Sequence, residues 1–209
     1  MTQRSFLYLF FSTCLIVFLP AAYAYAGEPT EMARQTTDKV IDILKNKELR
    51  KPERTKERRA LVRKAVSEHF DFEEMAKRSL ARQWTQRTPE EKKEFVALYT
   101  DLLERTYVKK VESYSDYKVI YAEETSDSDY AVVKTKIIIT SKNMDVPVAY
   151  KMEKKNGRWG VYDVVVEGVS LVNNYRNQFN NIISSGSYEE LVRRLKNKQD
   201  DGLADGKAR

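Results

Sequence analysis

Trp159 to Phe179, WGVYDVVVEGVSLVNNYRNQF, decides how this chain is built. The stretch begins as a strand, passes through Glu167-Gly168 and continues as an amphipathic helix. The strand half alternates poorly: Val161, Tyr162, Val164, Val165 and Val166 place apolar side chains on both sides. Such a strand needs apolar cover on two faces, or it borders an apolar space. Ser170 stands where a helix N-cap belongs, just before Leu171, Val172, Tyr175, Phe179 and Ile182 at helical spacing. The polar side of that helix carries Asn173, Asn174, Arg176, Asn177, Asn180 and Asn181. No nucleophile, metal cluster or phosphate loop is embedded here. The stretch has the character of a container wall rather than a reaction centre.

Working outward toward the N-terminus, Ala33, Thr37, Val40, Ile41 and Leu44 mark a first helix within Pro29 to Lys47. The charged segment Lys45 to Lys56, with Pro52, is expected to be a loop. A second helix over Glu57 to Phe70 turns Leu61, Val62, Ala65 and Val66 inward and Arg58, Arg59, Arg63 and Lys64 outward. Asp71 caps a third, with Phe72, Met75, Ala76 and Leu80 on the 3.6 period and Trp84 just beyond. Thr88-Pro89-Glu90-Glu91 is a capping box with proline at the first helical position. The fourth helix it opens is expected to reach Tyr114, 27 residues in all, about 40 Å. Its stripe is Phe95, Leu98, Tyr99, Leu102, Leu103, Thr106 and Tyr107.

After Ser115 the period changes from 3.6 to 2. Tyr117 to Ala122 is a short strand, and Glu123 to Asp129 a polar acidic turn. Tyr130 to Thr140 is a long strand with Ala131, Val133, Thr135, Ile137 and Ile139 on one face. Val146, Val148, Tyr150 and Met152 continue that face in a third strand. Lys155-Asn156-Gly157 signals a hairpin into the fourth, Arg158 to Val166. Two closing helices run from Ser170 to Ser184 and from Tyr188 to Lys196. Helices, an antiparallel meander and more helices predict an α+β fold: a curved four-stranded antiparallel sheet covered by about six helices and enclosing an apolar cavity.

The N-terminus has the pattern of an export signal. Arg4 precedes the 14-residue apolar run Phe6 to Leu19, Pro20 ends it, and Ala22-Tyr23-Ala24 or Ala24-Tyr25-Ala26 supplies a cleavage site. The run is short of the roughly 20 residues a membrane-spanning helix needs. Cys14 lies within it rather than at a mature N-terminus, which argues against a lipoprotein anchor; an uncleaved anchor would still leave the domain outside the cytoplasm. Cleavage after Ala26 leaves 209 − 26 = 183 residues, with residues 27–197 as one domain and 198–209 as a polar, disordered tail. Cys14 is the only cysteine, so the mature chain has no disulfide and no thiolate chemistry. Loss of Arg4 lowers the net charge from +6 to +5, with 31 acidic residues interspersed. That excess fits either solubility or attraction to an anionic surface or acidic partner. The basic run Lys51 to Lys64 lacks interleaved aromatics, so nucleic acid is not expected; a solvated face or a docking patch is.

Candidates for chemistry are few. His69 is the only histidine and has no cysteine or second histidine for a metal site. Asp71, Glu73 and Glu74 crowd a helix start, where the macrodipole favours them. Asp163 and Glu167 flank an apolar strand end; each is open either to a structural pairing with an arginine or to service as a general base. Arg176 suits one of these carboxylates or a ligand phosphate. Tyrosines of the fourth helix and strands either line an amphipathic cavity or simply pack. By face assignment the cavity-lining candidates are Met75, Leu98, Leu102, Val133, Ile137, Ile139, Val148, Tyr150, Val164 and Val169.

Three groups of residues carry a family resemblance. They are Phe70-Asp71-Phe72-x-x-Met75-Ala76 with Leu80, Trp84, Thr88-Pro89 and Phe95; Leu102-Leu103-x-x-Thr106-Tyr107; and Val161-Tyr162-Asp163-Val164, Val166-Glu167-Gly168-Val169-Ser170-Leu171 and Asn174-Tyr175-Arg176-x-x-Phe179. Together they resemble the periplasmic phospholipid-binding component of the Mla (maintenance of lipid asymmetry) ABC transport system, the toluene-tolerance auxiliary family. The match runs from about Pro29 to Lys196. Ala81 departs from it, since such proteins commonly place glycine after the leucine; alanine is a small change. Hopanoid-associated relatives share these motifs. The resemblance implies a soluble, monomeric periplasmic carrier with no cofactor and no catalytic or metal residues. Its cargo would be a glycerophospholipid, and its partners an inner-membrane MCE-domain ABC transporter complex and an outer-membrane lipoprotein–porin complex. The competing readings are an envelope hydrolase or transferase using Asp163 or Glu167 as a general base, and a structural or chaperone-like envelope adaptor with a filled interior and a surface groove.

Overall fold

A computed structural model describes residues 27–112 and 117–197. The export signal, the residues just before the first strand and the C-terminal tail lie outside the described residues. Among the described residues, six α-helices and an antiparallel sheet make an α+β fold. The helices are α1 (Glu28–Lys45), α2 (Thr55–Ser67), α3 (Phe72–Leu80), α4 (Pro89–Glu112), α5 (Leu171–Ser185) and α6 (Tyr188–Lys196). The sheet has five strands, not four: β1 (Tyr117–Asp127), β2 (Tyr130–Ile139), β3 (Met144–Lys155), β4 (Arg158–Val166) and β5 (Val169–Ser170), in sequential order. The extra strand exists because Glu167 and Gly168 both adopt positive φ, +50° and +83°. That makes a tight two-residue hairpin and returns Val169 and Ser170 to pair with Val166 and Val165.

The poor alternation of the fourth strand has a local cause. Met152 pairs with Val161 but Lys151 with Asp163, leaving Tyr162 as a bulged residue. The inward side therefore changes parity, from Trp159 and Val161 to Val164 and Val166. A second bulge, at Ala122, converts the expected acidic turn after it into strand. Glu123 points outward to Lys134 at 2.9 Å, and Glu124 points inward to accept the Thr30 N–H at 2.9 Å. Gly27, at the N-cap of α1, has no side chain to cap it, so β1 supplies the carboxylate that the orphan N–H groups and the macrodipole require. Trp159 Nε1 and Lys154 bind Glu28 at 3.0 Å each, fixing the same helix end to β3 and β4.

The capping signals fold as expected. Asp71 accepts from Glu74 N at 2.8 Å, Thr88 and Glu91 close their reciprocal box, and Ser170 accepts from Asn173 N at 3.1 Å. Two apolar clusters result. One joins α3, α4, α5 and α6 around Phe95, Tyr99, Tyr175 and Phe179, whose rings stack or meet edge-on at 5.4–6.0 Å. The other packs Met32 and Ala33 of α1 onto Ala131, Val133, Met152, Trp159 and Val161.

Glu74 links the helical layer to the sheet. Its carboxylate meets Arg78 Nε and Lys155 Nζ at 2.8 Å each, and Arg78 reaches on to Glu153 at 3.0 Å. Burial pushes this carboxyl up, but Lys155, Lys77 and Arg78 outweigh it and hold it at about 2, against an ordinary 4.5. A carboxyl depressed in the folded state stabilises it above pH 4.5, and that contribution fades as pH falls toward 2. With its lysine partners open to water, the contribution is about 1–2 kcal/mol. Glu74→Gln should therefore flatten the fall in thermal midpoint across that acid window. An unchanged acid dependence would contradict the assignment.

Ala81, one residue past α3, has φ +50° and ψ −123°. Read from sequence, alanine for glycine is a small change in size; the structure shows that its consequence is conformational. A Cβ in this region costs on the order of 1 kcal/mol or more. Ala81→Gly should raise the thermal midpoint by about 2–4 °C. A midpoint that fell would mean that the backbone relaxes at this turn.

Candidate binding site

Between α1 and the sheet lies a cavity of about 720 Å³. Small-molecule sites typically occupy roughly 300–1,000 Å³. Its roof is one face of α1: Met32, Ala33, Thr36, Thr37, Val40, Ile41 and Leu44. Val119 of β1, Ile137 and Ile139 of β2, and Val146, Val148 and Tyr150 of β3 form the floor. Val166, Val169, Leu171 and Asn174 close one side, with Val66, Phe70, Tyr107 and Tyr117 completing the wall.

The strand pairing explains why these residues converge. Ile137 lies directly opposite Val146, Ile139 opposite Met144, and Val148 opposite Val166, so each pair projects onto one face at neighbour spacing. Toward the other end, the same face is filled by Met32 and Ala33 packing on Val133 and Met152. The roof helix is thus bound firmly at its N-terminal half, while Val40 and Ile41 in its second half remain half-exposed above the cavity. Met144 and Val169 are 43% and 41% exposed although both line the space, which marks them as rim. Glu167 is exposed beside them.

The chemistry of the lining is overwhelmingly hydrocarbon. Burial pushes the Tyr150 hydroxyl above its usual value, while Thr37 and Thr135 pull it the other way. Tyr150 is thus a neutral phenol facing an apolar space. Asp163, one of the two acids weighed as a base, is 4% exposed and fully engaged. It accepts from Ser170 Oγ at 2.6 Å and Val172 N at 3.1 Å, with Lys151 Nζ at 3.4 Å. Its cation is a lysine, not the expected arginine. Arg176 reaches neither acid through Nε, which donates to the Arg78 carbonyl at 2.8 Å and ties α5 to α3. Among the described residues, no group of three or more His, Cys, Asp and Glu side chains is placed to hold a metal ion.

Of the ten lining candidates, Ile137, Ile139, Val148, Tyr150 and Val169 border the cavity. Met75 and Leu102 are sealed in the helical cluster, and Leu98 packs against it. Val133 and Val164 belong to the α1–sheet cluster. Leu98 and Leu102 were offered as lining from the fourth helix, whereas the cavity lies under the first. Among the described residues of α4, Tyr107 alone borders it. Val40, Ile41 and Leu44 were visible as a helical stripe, but periodicity cannot separate a stripe that packs from one that roofs a hollow. The outward arginines of α2 are ion-paired. Arg58 and Arg59 both bind Glu112 of α4 at 2.9 Å, and Arg63 pairs with Glu104.

Comparison with known proteins places these features in a family. The family model described as MlaC protein matches residues 34–197. The intermembrane phospholipid transport system binding protein MlaC of Haemophilus influenzae is 22% identical over 186 residues, 87% of each chain. Among solved structures, a phospholipid-binding protein from Ralstonia solanacearum, in complex with a phospholipid, superposes with a TM-score of 0.72 at 26% identity. That match covers 84% of this chain and 98% of the other. A family match running from the roof helix to the last helix, over the same α+β framework, shows that this chain belongs to the MlaC family.

Proposed function

We propose that this protein is a periplasmic phospholipid carrier. The acyl tails of a glycerophospholipid occupy the cavity under α1, and the head group stays in water at the rim formed by Met144, Glu167 and Val169. The observation that carries this reading is the 720 Å³ apolar space with exposed apolar residues at its edge. The phospholipid-transport binding protein of Haemophilus and the phospholipid-binding protein of Ralstonia support it by their likeness.

The physical need is large. Two acyl chains expose on the order of 30 methylenes, which at about 0.8 kcal/mol each makes roughly 24 kcal/mol of unfavourable hydration. A carrier offsets most of this with a dry lining, and it must also release its cargo. Branched aliphatics from α1 and three strands suit both demands, because apolar contact is non-directional. Within this reading the chain is exported behind residues 1–26, with cleavage after Ala24 or Ala26, and works as a monomer without a cofactor. It exchanges lipid with an inner-membrane MCE-domain ABC transporter complex and an outer-membrane lipoprotein–porin complex. No helix among the described residues is long and apolar enough to cross a membrane, which fits a carrier.

Purified protein, denatured and extracted with organic solvent, should release diacyl phospholipid in near-stoichiometric amount. An extract without lipid would favour an adaptor, and turnover of an added ester or phosphoester would favour a hydrolase.

A further inference from the structure

The cavity has an inner end, and one side chain crosses it. From the rim at Met144 the floor residues of β3 run through Val146 and Val148 to Tyr150, about 20 Å of strand. Met152, the next residue on that face, is fully buried and no longer borders the space. The roof gives a similar measure, since Met32 to Leu44 is about 18 Å of helix. One leaflet of a bilayer, half of a hydrocarbon core of about 30 Å, is about 15 Å deep. The hollow thus takes an acyl chain of ordinary membrane length laid along its axis, and little more.

Tyr150 stands at that inner end on β3, the middle strand of the sheet, with Val133 of β2 and Val164 of β4 opposite it on either side. Its ring rises from the floor, and its hydroxyl reaches Thr37 of α1 in the roof and Thr135 of β2. Tyr121 of β1 reaches the same Thr37, and its hydroxyl also donates to the Ala33 carbonyl at 3.4 Å. Two phenols therefore span from sheet to roof helix at one level, and Tyr150 is the one whose ring borders the hollow. A floor that only had to be oily would need no hydroxyl there. A tyrosine, with its rigid apolar ring and polar tip, suits a side chain that crosses the gap and is held at its far end. We propose that Tyr150, held against Thr37, is the end wall of the cavity and sets the greatest acyl-chain length that the site encloses. This assignment rests on the carrier reading and adds a length selectivity to it. Carbons beyond the limit stay outside the dry lining, where each methylene keeps its unfavourable hydration.

The test is a competition. Delipidated protein is incubated with vesicles of equimolar dioleoyl and dierucoyl phosphatidylglycerol, which differ only in chain length, and the bound species are counted by native mass spectrometry. Comparing each variant with wild type cancels the lipids' own difference in leaving the vesicle. Tyr150→Ala should raise the bound ratio of long to short lipid about tenfold over wild type, the worth of about two methylenes brought out of water. Tyr150→Leu loses the ring but keeps an apolar side chain; it should move the ratio the same way and serves if the alanine variant does not fold. Tyr150→Phe keeps the ring and should stay within about twofold of wild type. A ratio unmoved in a folded alanine or leucine variant, or a rise in the phenylalanine variant as large as theirs, overturns the role of Tyr150 while leaving the carrier reading intact. Failure of the wild-type protein to take up either lipid overturns both.

Discussion

Ile137→Trp combined with Val146→Trp is expected to abolish lipid loading while leaving the fold in place. These two residues sit directly opposite each other on β2 and β3, and both border the cavity and are only half-buried. Indoles at these positions can enter the hollow rather than a packed layer. Overpacking a filled core costs about 1–3 kcal/mol, whereas filling a void avoids most of that strain. The tails, in contrast, lose the space that offsets their hydration. We expect co-purified phospholipid to fall from near one equivalent to below one tenth, with a thermal midpoint within a few degrees of wild type. Full lipid occupancy in native mass spectrometry of the folded double variant would show that the cargo site lies elsewhere. Met75→Trp is the contrasting case. Met75 is 1% exposed within the helical cluster and does not line this cavity, so its variant should lose stability by the full overpacking cost and spare loading in whatever fraction folds.

That contrast also shows what the sequence carried and what it could not. Local signals were legible wherever a side chain acts on its own backbone neighbourhood. Asp71, Thr88 and Ser170 were recognisable as caps, and Asn156-Gly157 as a hairpin whose two residues have positive φ, +51° and +76°. The face of β2 and β3 was legible too, because a two-residue period leaves only two choices. Three features were not. The bulges at Ala122 and Tyr162 each insert one residue and switch the face without any composition signal, so the fourth strand resembled a two-sided apolar strand and the end of the first resembled a turn. Glu167-Gly168 was read as a simple connector, although its paired positive φ values fold back a fifth strand. The choice between α1 and α4 as the roof depends on how far each stripe is occupied by other helices. Phe95, Tyr99 and Leu102 of α4 are taken by the helical cluster with α5 and α6, whereas Val40 and Ile41 of α1 are only half-buried above the cavity, and no single-chain periodicity reveals that difference.

Asp163→Ala should be the most destabilising single polar substitution in the sheet, at about 3 kcal/mol. The carboxylate stands where β4, β5 and α5 meet, which is also where the cavity wall is assembled. One oxygen accepts from the Val172 N–H, an orphan donor in the first turn of α5. The other accepts from the Ser170 hydroxyl at 2.6 Å, and that same hydroxyl caps Asn173. Lys151 on β3 neutralises the pair from the solvent side. Alanine would strand a buried N–H and leave Lys151 without its counter-charge; penalties of this kind run about 1–3 kcal/mol for the donor and more where a charge is involved. For a domain of this size, the thermal midpoint should fall by roughly 6–12 °C. Asp163→Asn keeps an acceptor for Val172 or Ser170 and should recover about half of the loss. A general base would behave in another way: both substitutions would remove an activity and leave the midpoint nearly unmoved. If Asp163→Ala melts within a degree of wild type, the carboxylate is not the pin that holds α5 against the sheet. The positions of Val169, Leu171 and Asn174 along the cavity would then need a different cause.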